Sequence, residues 1–150
     1  MKALIQRVSG ASVTVGGRIT GRIQRGLLVF LCVVKGDTRK DLEHLVKKVS
    51  GLRIFEDSAG KMNLSVQDIH GGILVISQFT LAARTEKGNR PSFDDAESLD
   101  VAGAMYLSFV GTLKETGLAV ETGVFGEHMD VSLVNDGPVT ILIDSRKGNA

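Results

Sequence analysis

The chain has 150 residues, 43% of them hydrophobic, which fits a single domain spanning residues 1–150 that buries about two-thirds of its unfolded surface. Its 18 Lys and Arg residues against 17 Asp and Glu residues give a net charge of +1, so any contact with RNA has to come from a local patch. No segment has the apolar core of a signal peptide or the roughly 20 apolar residues of a membrane helix, so we expect a soluble, cytoplasmic protein without a membrane partner.

The first third of the sequence predicts a sheet. Short β-prone runs cover residues 3–8 and 11–15. Gly16-Gly17 is typical of a hairpin turn, and it leads into a further strand at residues 18–23. The apolar run at residues 27–34 predicts a strand buried inside the domain.

Two stretches have the apolar periodicity of helices. The first begins near Thr38, with Asp37 or Thr38 as its cap, and ends at Gly51. The second begins within residues 92–95 and ends at Gly117. The apolar positions that recur at helical spacing are Leu42, Leu45, Val46 and Val49 in the first helix and Leu99, Ala102, Met105, Tyr106, Phe109, Val110 and Leu113 in the second.

The remaining apolar runs predict five more strands, at residues 52–55, 73–79, 118–122, 130–134 and 139–143. The chain therefore contains about nine strands and two main helices, without a sustained alternation of strand and helix. This order favours an α+β domain in which mixed, largely antiparallel sheets pack with the two helices.

Few side chains carry an evident catalytic signature. The three histidines, His44, His70 and His128, are far apart and belong to no metal-binding pattern, so we predict surface roles for them and neither a metal site nor a cofactor. The single cysteine, Cys32, cannot form an internal disulfide and lies in an apolar run, which predicts a buried thiol.

The segment Ser77-Gln78-Phe79-Thr80 is the most informative polar cluster, because it ends a strongly apolar strand. If the segment is extended, Ser77 and Phe79 point to one side while Gln78 and Thr80 point to the other. Backbone N–H groups at such a strand end can stabilise an oxyanion. The alternative is a plain strand terminus whose hydroxyl groups bond nearby backbone.

Two further segments carry interpretable chemistry. Gly137-Pro138 lies between two β-prone runs and predicts a rigid turn, which is either an ordinary connection or a wall of carbonyl oxygens that faces a ligand. Residues 84–90 form a polar loop with three positive charges and one negative charge, which either contacts phosphates or is simply solvated.

Three separated motifs are informative together. They are Gln6-Arg7-Val8 with residues 11–15, residues 77–81 with Arg90-Pro91-Ser92-Phe93, and residues 131–140, which contain Asn135-Asp136-Gly137-Pro138-Val139-Thr140. With these motifs the chain resembles the D-aminoacyl-tRNA deacylase family, also called the D-tyrosyl-tRNA deacylases. The resemblance runs essentially end to end and includes residues 53–55 and 60–64.

The resemblance implies a homodimer with active sites at the subunit interface, acting on the 3′ end of a D-aminoacyl-tRNA. The reaction is hydrolysis of the ester between the amino acid and the terminal ribose. The resemblance also implies that Gly137-Pro138 has a cis peptide bond and enters the partner's site, where its carbonyl groups exclude L-amino acids by steric clash while glycyl-tRNA is excluded incompletely.

Site residues carry over from the same resemblance. It implies that Ser77, Gln78, Phe79 and Thr80 form the catalytic wall, while Gly137, Pro138, Arg7 and Met129 bind substrate, with Arg7 anchoring the Gly-Pro motif. The family's Thr80 was once favoured as a nucleophile. We instead expect attack by water, with backbone N–H groups holding the oxyanion and the 2′-OH of the tRNA assisting, because no base is evident beside Thr80.

Two other functions are compatible with the residues. One is an RNA-binding module without catalysis, similar to the editing-type domain of some threonyl-tRNA synthetases. The other is a serine hydrolase that uses Ser77 with His70 or His128, although the usual nucleophile elbow is missing. One position departs from the family pattern: Arg84 stands where Asp is frequent, which either raises the positive charge of the loop or alters a local turn.

Overall fold

The structure, a computed structural model, describes residues 1–147. The two helices are α1 (Arg39–Gly51) and α2 (Leu99–Glu115), and a short 3₁₀ helix covers Phe79–Ala82. The strands in chain order are β1 (Lys2–Val15), β2 (Arg18–Ile23), β3 (Gly26–Cys32), β4 (Phe55–Glu56), β5 (Met62–Leu64), β6 (Gly72–Ser77), β7 (Ala119–Thr122) and β8 (Asp130–Asp144).

A six-stranded mixed sheet forms the centre of the fold. Its order is β2-β1-β3-β6-β7, and β8 pairs along the length of β1. β3, β6 and β7 are mutually parallel, whereas β1 pairs with β2, β3 and β8 in antiparallel fashion. Because β3, β6 and β7 run in the same direction, their carboxyl ends meet at one edge of the sheet. The two helices and the mixed sheet confirm the α+β prediction.

Apolar clusters cover both faces of this sheet. On one face, α1 and α2 pack against alternate residues of the strands, including Ile5, Val29 and Val75. On the other face, β2 curls over β6 and β7, so that Leu28 and Leu74 are also buried. The close approach requires a glycine, because a Cβ at Gly21 would lie only 2.5 Å from the carbonyl oxygen of Thr122.

The first helix follows its sequence signals closely. Thr38 is its N-cap, and the Asp41 carboxylate accepts hydrogen bonds from the Thr38 N–H at 2.8 Å and from the Thr38 hydroxyl at 2.7 Å. The predicted apolar face is buried against the sheet. Gly51 is the last helical residue, as expected.

Several predicted boundaries are wrong. Residues 3–8 and 11–15 belong to one strand, as do 130–134 and 139–143, because β1 and β8 continue through irregular register steps. α2 begins at Leu99 rather than at residues 92–95, which form bonds to neighbouring loops, including Lys35 N–H to Asp95 O at 2.9 Å. The predicted strand at 52–55 is reduced to β4, and β5 was not predicted.

Candidate active site

A cavity of about 530 Å³ opens at the carboxyl ends of β3 and β6. It lies between these strands, the first turns of α2 and the segment that connects β7 to β8. Sites at the carboxyl ends of parallel strands are a general feature of sheets with this arrangement. The lining residues are Leu31, Val33, Ile76, Ser77, Gln78, Phe79, Phe93, Ala96, Glu97, Leu99, Ala102, Tyr106, Phe125, Gly126, Glu127, His128, Met129 and Val131.

Ser77, Gln78 and Phe79 form one wall of this cavity, but the segment from Ser77 to Thr80 is not a continuous strand. β6 ends at Ser77, Gln78 has φ −142° and ψ 78°, and the chain then turns into the 3₁₀ helix. The expected alternation of side chains is therefore wrong beyond Gln78. Ser77, Gln78 and Phe79 line the cavity, whereas Thr80 does not; its Oγ1 accepts a hydrogen bond from Gln78 Nε2 at 2.5 Å.

The turn at this strand end leaves backbone donors available. The Gln78 N–H continues the pairing with β3 by donating to Leu31 O at 2.8 Å, and the Leu81 N–H donates to Gln78 O at 3.3 Å. Within residues 1–147, no acceptor contacts the N–H groups of Phe79 and Thr80. Phe79 lines the cavity and Thr80 is the next residue, so these are two successive free N–H groups at the edge of the cavity wall. Such a pair is suited to bind a developing negative charge on oxygen.

Aromatic side chains form the apolar part of the site. Phe79 is 55% exposed and meets Phe93 edge to face, with ring centroids 5.2 Å apart. Tyr106 is buried beneath the cavity, stacks with Phe125 at 5.6 Å and donates its hydroxyl hydrogen to Val75 O at 2.8 Å. Burial raises the pKa of Tyr106 to about 12.

The segment between β7 and β8 supplies the opposite wall. Met129 lies in this wall, so it shares the cavity with Ser77. His128, which the sequence indicated only as a surface residue, is at the cavity rim with its side chain 93% exposed and Nε2 3.6 Å from Asp130 Oδ1. His70 does not line the cavity. The acids Glu97 and Glu127 also line it, and sequence reasoning missed both.

Gly137-Pro138 lies away from the cavity of its own chain. The peptide bond before Pro138 is cis, and both residues are exposed on β8. Arg7, buried to 6% exposure, lies behind them: its Nε donates to Asp136 O at 2.8 Å and its Nη1 donates to Ile54 O at 2.6 Å. Arg7, Gly137 and Pro138 are thus brought together, but none of them lines the cavity that contains Ser77 and Met129.

Arg84 forms an ion pair at the base of the loop in which it lies. Its guanidinium makes two hydrogen bonds of 2.6 Å to the two carboxylate oxygens of Asp95, and its backbone pairs with Ser92. This bidentate ion pair closes the loop at its base. The loop's other exposed cations are Lys87 and Arg90.

Cys32 is buried, as predicted, and burial raises the pKa of its thiol.

Across residues 1–147, there is no group of three or more His, Cys, Asp or Glu side chains placed to hold a metal ion. No helix in that same range is long and apolar enough to cross a membrane.

The fold and the cavity define an α+β protein with a ligand pocket built on a parallel strand end. The family model described as D-Tyr-tRNA(Tyr) deacylase matches residues 4–144. The chain belongs to this family of deacylases, which are hydrolases.

Relatives match over nearly the whole length. A D-aminoacyl-tRNA deacylase of Thermotoga petrophila is 59% identical over 147 residues, covering 98% of this chain and 99% of the relative. One from Paracoccus denitrificans is 59% identical over 145 residues, covering 97% of each.

Solved structures also match. The c-Myc DNA unwinding element binding protein superposes with a TM-score of 0.91 at 46% identity, covering 96% of this chain and 98% of that one. A probable eukaryotic D-amino acid tRNA deacylase, at 19% identity and a TM-score of 0.78, shows the fold alone; it covers 95% of this chain and 97% of that one.

Proposed function

We propose that this protein hydrolyses the ester bond of D-aminoacyl-tRNA, and of mischarged glycyl-tRNA, while rejecting L-aminoacyl-tRNA. The observation that carries this proposal is the end-to-end match to the deacylase family, in which the matched region includes the cavity wall from Ser77 to Phe79 and the adjoining Thr80. The products are a free D-amino acid and tRNA. Such a reaction removes amino acids of the wrong chirality before translation uses them.

The cavity wall suits ester hydrolysis without a nucleophilic side chain. In our mechanism a water molecule attacks the ester carbonyl carbon, and the carbonyl oxygen becomes an oxyanion that accepts hydrogen bonds from the free N–H groups of Phe79 and Thr80. The oxyanion then collapses, the bond between the carbonyl carbon and the ester oxygen of the ribose breaks, and the neighbouring 2′-OH assists transfer of a proton from the attacking water to that leaving oxygen. Thr80 is a poor nucleophile in this geometry because its Oγ1 points to Gln78 and lies outside the cavity lining.

Two surfaces near the cavity suit the acceptor end of a tRNA: an aromatic surface for its terminal base and a pair of cations for its phosphates. An exposed Phe79 ring beside Phe93 offers a stacking surface for an unpaired base such as the tRNA's terminal adenine. Lys87 and Arg90, in the loop closed by Arg84, are free to contact phosphates of the acceptor end. Lys87 and Arg90 therefore form the local positive patch that RNA binding requires in a protein with a net charge of only +1.

Chiral selection is assigned to Gly137-Pro138 of a second subunit. Because these exposed residues do not line the cavity of their own chain, they can contribute to a site only across an interface. A wall of backbone carbonyl groups rejects an L side chain by clash and does not depend on rotamers. Glycine has no side chain to be rejected, so glycyl-tRNA is also a substrate.

An apolar row on the sheet supports the proposal of a second subunit. Leu4 lies opposite Phe30 on β3 and opposite Leu142 on β8, so the three side chains form one apolar row on the face that the helices leave uncovered. Leu142 is 58% exposed. A homodimer that buries this row would bring β8, and with it Gly137-Pro138, to the partner.

One assay tests the activity against its alternatives. The protein is incubated with D-Tyr-tRNA, L-Tyr-tRNA and a simple aryl ester, and each hydrolysis rate is measured. The proposal predicts rapid loss of D-Tyr-tRNA with L-Tyr-tRNA left intact. Turnover of the aryl ester alone would instead indicate a serine hydrolase using Ser77 with His128. Binding of both tRNAs without turnover would indicate a non-catalytic RNA-binding module.

A further inference from the structure

The segment that contains Gly137-Pro138 is looped out of the pairing between β1 and β8. Gln6 is opposite Thr140 and Val8 is opposite Asn135, so Arg7 alone faces the four residues 136–139. Residues looped out in this way lose the regular ladder of hydrogen bonds, and their backbone groups need other partners.

Asn135 supplies these partners from the base of the loop. Its Oδ1 accepts a hydrogen bond from the Val139 N–H at 2.8 Å, and its Nδ2 donates to Val139 O at 3.2 Å. Nδ2 also lies 3.2 Å from Thr140 Oγ1. A single carboxamide therefore pairs with both backbone groups of Val139, as a neighbouring strand would.

The loop is thus held at both of its ends. Arg7 fixes the carbonyl group of Asp136 on the entering side, and Asn135 fixes Val139 on the leaving side. Gly137 and Pro138 lie between these two fixed points, exposed at the tip. A carbonyl wall excludes a side chain only when its position is defined to within a fraction of an ångström.

We infer that Asn135 is a positioning residue for substrate chirality: its carboxamide fixes the exit of the loop so that the carbonyl groups of Gly137-Pro138 stay where an L side chain would clash. The inference rests on the proposed function of this loop as the chiral filter. Asn135 itself contacts no substrate in this account, and it acts on selectivity only through its hydrogen bonds to the backbone of Val139.

The test compares two substitutions at this position. Asn135→Ala removes all three hydrogen bonds, whereas Asn135→Asp keeps the volume and the acceptor but loses the donor. We expect the ratio of D-Tyr-tRNA to L-Tyr-tRNA hydrolysis rates to fall by about tenfold or more in Asn135→Ala, and by less in Asn135→Asp. Amide hydrogen exchange at Val139 should accelerate in Asn135→Ala and stay protected in Asn135→Asp.

Ser132→Ala, an exposed substitution on the same strand, is the matched control and should leave the ratio unchanged. A merely structural role would lower the melting temperature and both rates together, and it would leave the ratio unchanged. The inference is therefore overturned if Asn135→Ala retains the wild-type ratio to within about twofold.

A parallel Gly137→Ala measurement separates this inference from the proposal beneath it. If Gly137→Ala loses discrimination while Asn135→Ala keeps it, the filter stands and the role of Asn135 is wrong. If folded Gly137→Ala keeps full discrimination, the filter itself is wrong, and the role of Asn135 falls with it.

Discussion

Replacing Gly137 with alanine should weaken discrimination between D- and L-aminoacyl-tRNA more than it weakens catalysis. Gly137 has φ +152°, a region that L residues rarely adopt. An added Cβ would lie 2.7 Å from Val139 N, 2.8 Å from Val139 Cγ2 and 3.3 Å from Arg7 Nη2. The first of these contacts involves backbone, so a side-chain rotation cannot relieve it.

The magnitude follows from these distances. Ordinary van der Waals contact begins at 3.4 Å, so the backbone at Gly137 or Val139 has to move by about 0.7 Å. Displacements of about 1 Å at a site can change rates by about 10²-fold. We therefore expect the ratio of D to L hydrolysis to fall by about 10- to 100-fold, with a loss of about 1–3 kcal/mol in the free energy of unfolding.

The assay is single-turnover deacylation of D-Tyr-tRNA and L-Tyr-tRNA, with urea denaturation of the same preparations. Gly117→Ala is the control, because Gly117 also has a positive φ of 84° but no atom within 4 Å of the added Cβ. It should lose a comparable amount of stability without losing discrimination. A folded Gly137→Ala variant with an unchanged ratio would refute the reasoning.

Three further predictions concern mechanism, assembly and acid stability. Thr80→Ala should keep the single-turnover rate of deacylation within about tenfold of wild type, because it removes only one hydrogen bond to Gln78. Complete loss of activity in this variant, together with an acyl adduct trapped on Thr80 of the wild-type protein, would contradict attack by water. Leu142→Glu should be monomeric in light scattering and lose activity. Leu107→Glu, at an exposed position of α2, should stay dimeric and active. A dimeric, active Leu142→Glu variant would contradict the proposed interface. Burial alone raises the pKa of Asp41, but hydrogen bonds from Thr38 and from the Ser145 hydroxyl at 2.7 Å lower it to about 2. Its stabilising contribution should be complete above about pH 5 and lost between about pH 4 and pH 2, as measured by urea denaturation, and Asp41→Asn should show a smaller acid dependence in that window.

Local signals in the sequence predicted much of the fold. The Gly16-Gly17 hairpin has positive φ at both glycines, and α1 begins at the residue indicated by its cap. In both cases the determining contacts lie within a few residues. The same holds for the end of α2, where Gly117 has φ 84° after the last turn.

The errors arose where distant contacts decide the structure. β1 and β8 are long because each continues against the other through register irregularities, which no local pattern records. The turn after Ser77 coincides with the end of the register between β6 and β3, which no residue type in the segment indicates. Arg84 finds Asp95 eleven residues later, so its ion pair could not be inferred from the loop alone.

The candidate site was only partly accessible from the sequence. The wall from Ser77 to Phe79 and the Gly-Pro motif stood out. Glu97 reaches the cavity from the loop before α2, and Phe125 and His128 reach it from the connection between β7 and β8; none of the three has a local signature. The resemblance implied that Gly137-Pro138 enters a partner's site, and the structure adds that Gly137 lies away from the cavity of its own chain. That separation is the structural reason for assigning the filter to a second subunit.

A mixed dimer tests this assignment most directly. One subunit carries Gln78→Ala, verified as an inactive homodimer, with an intact loop; the other carries Gly137→Ala with an intact cavity. If the loop acts across the interface, the one working cavity receives the intact Gly137-Pro138, so the mixed dimer should hydrolyse D-Tyr-tRNA and spare L-Tyr-tRNA. If it hydrolyses both as the Gly137→Ala homodimer does, the loop serves its own subunit and the proposed architecture of the site is wrong.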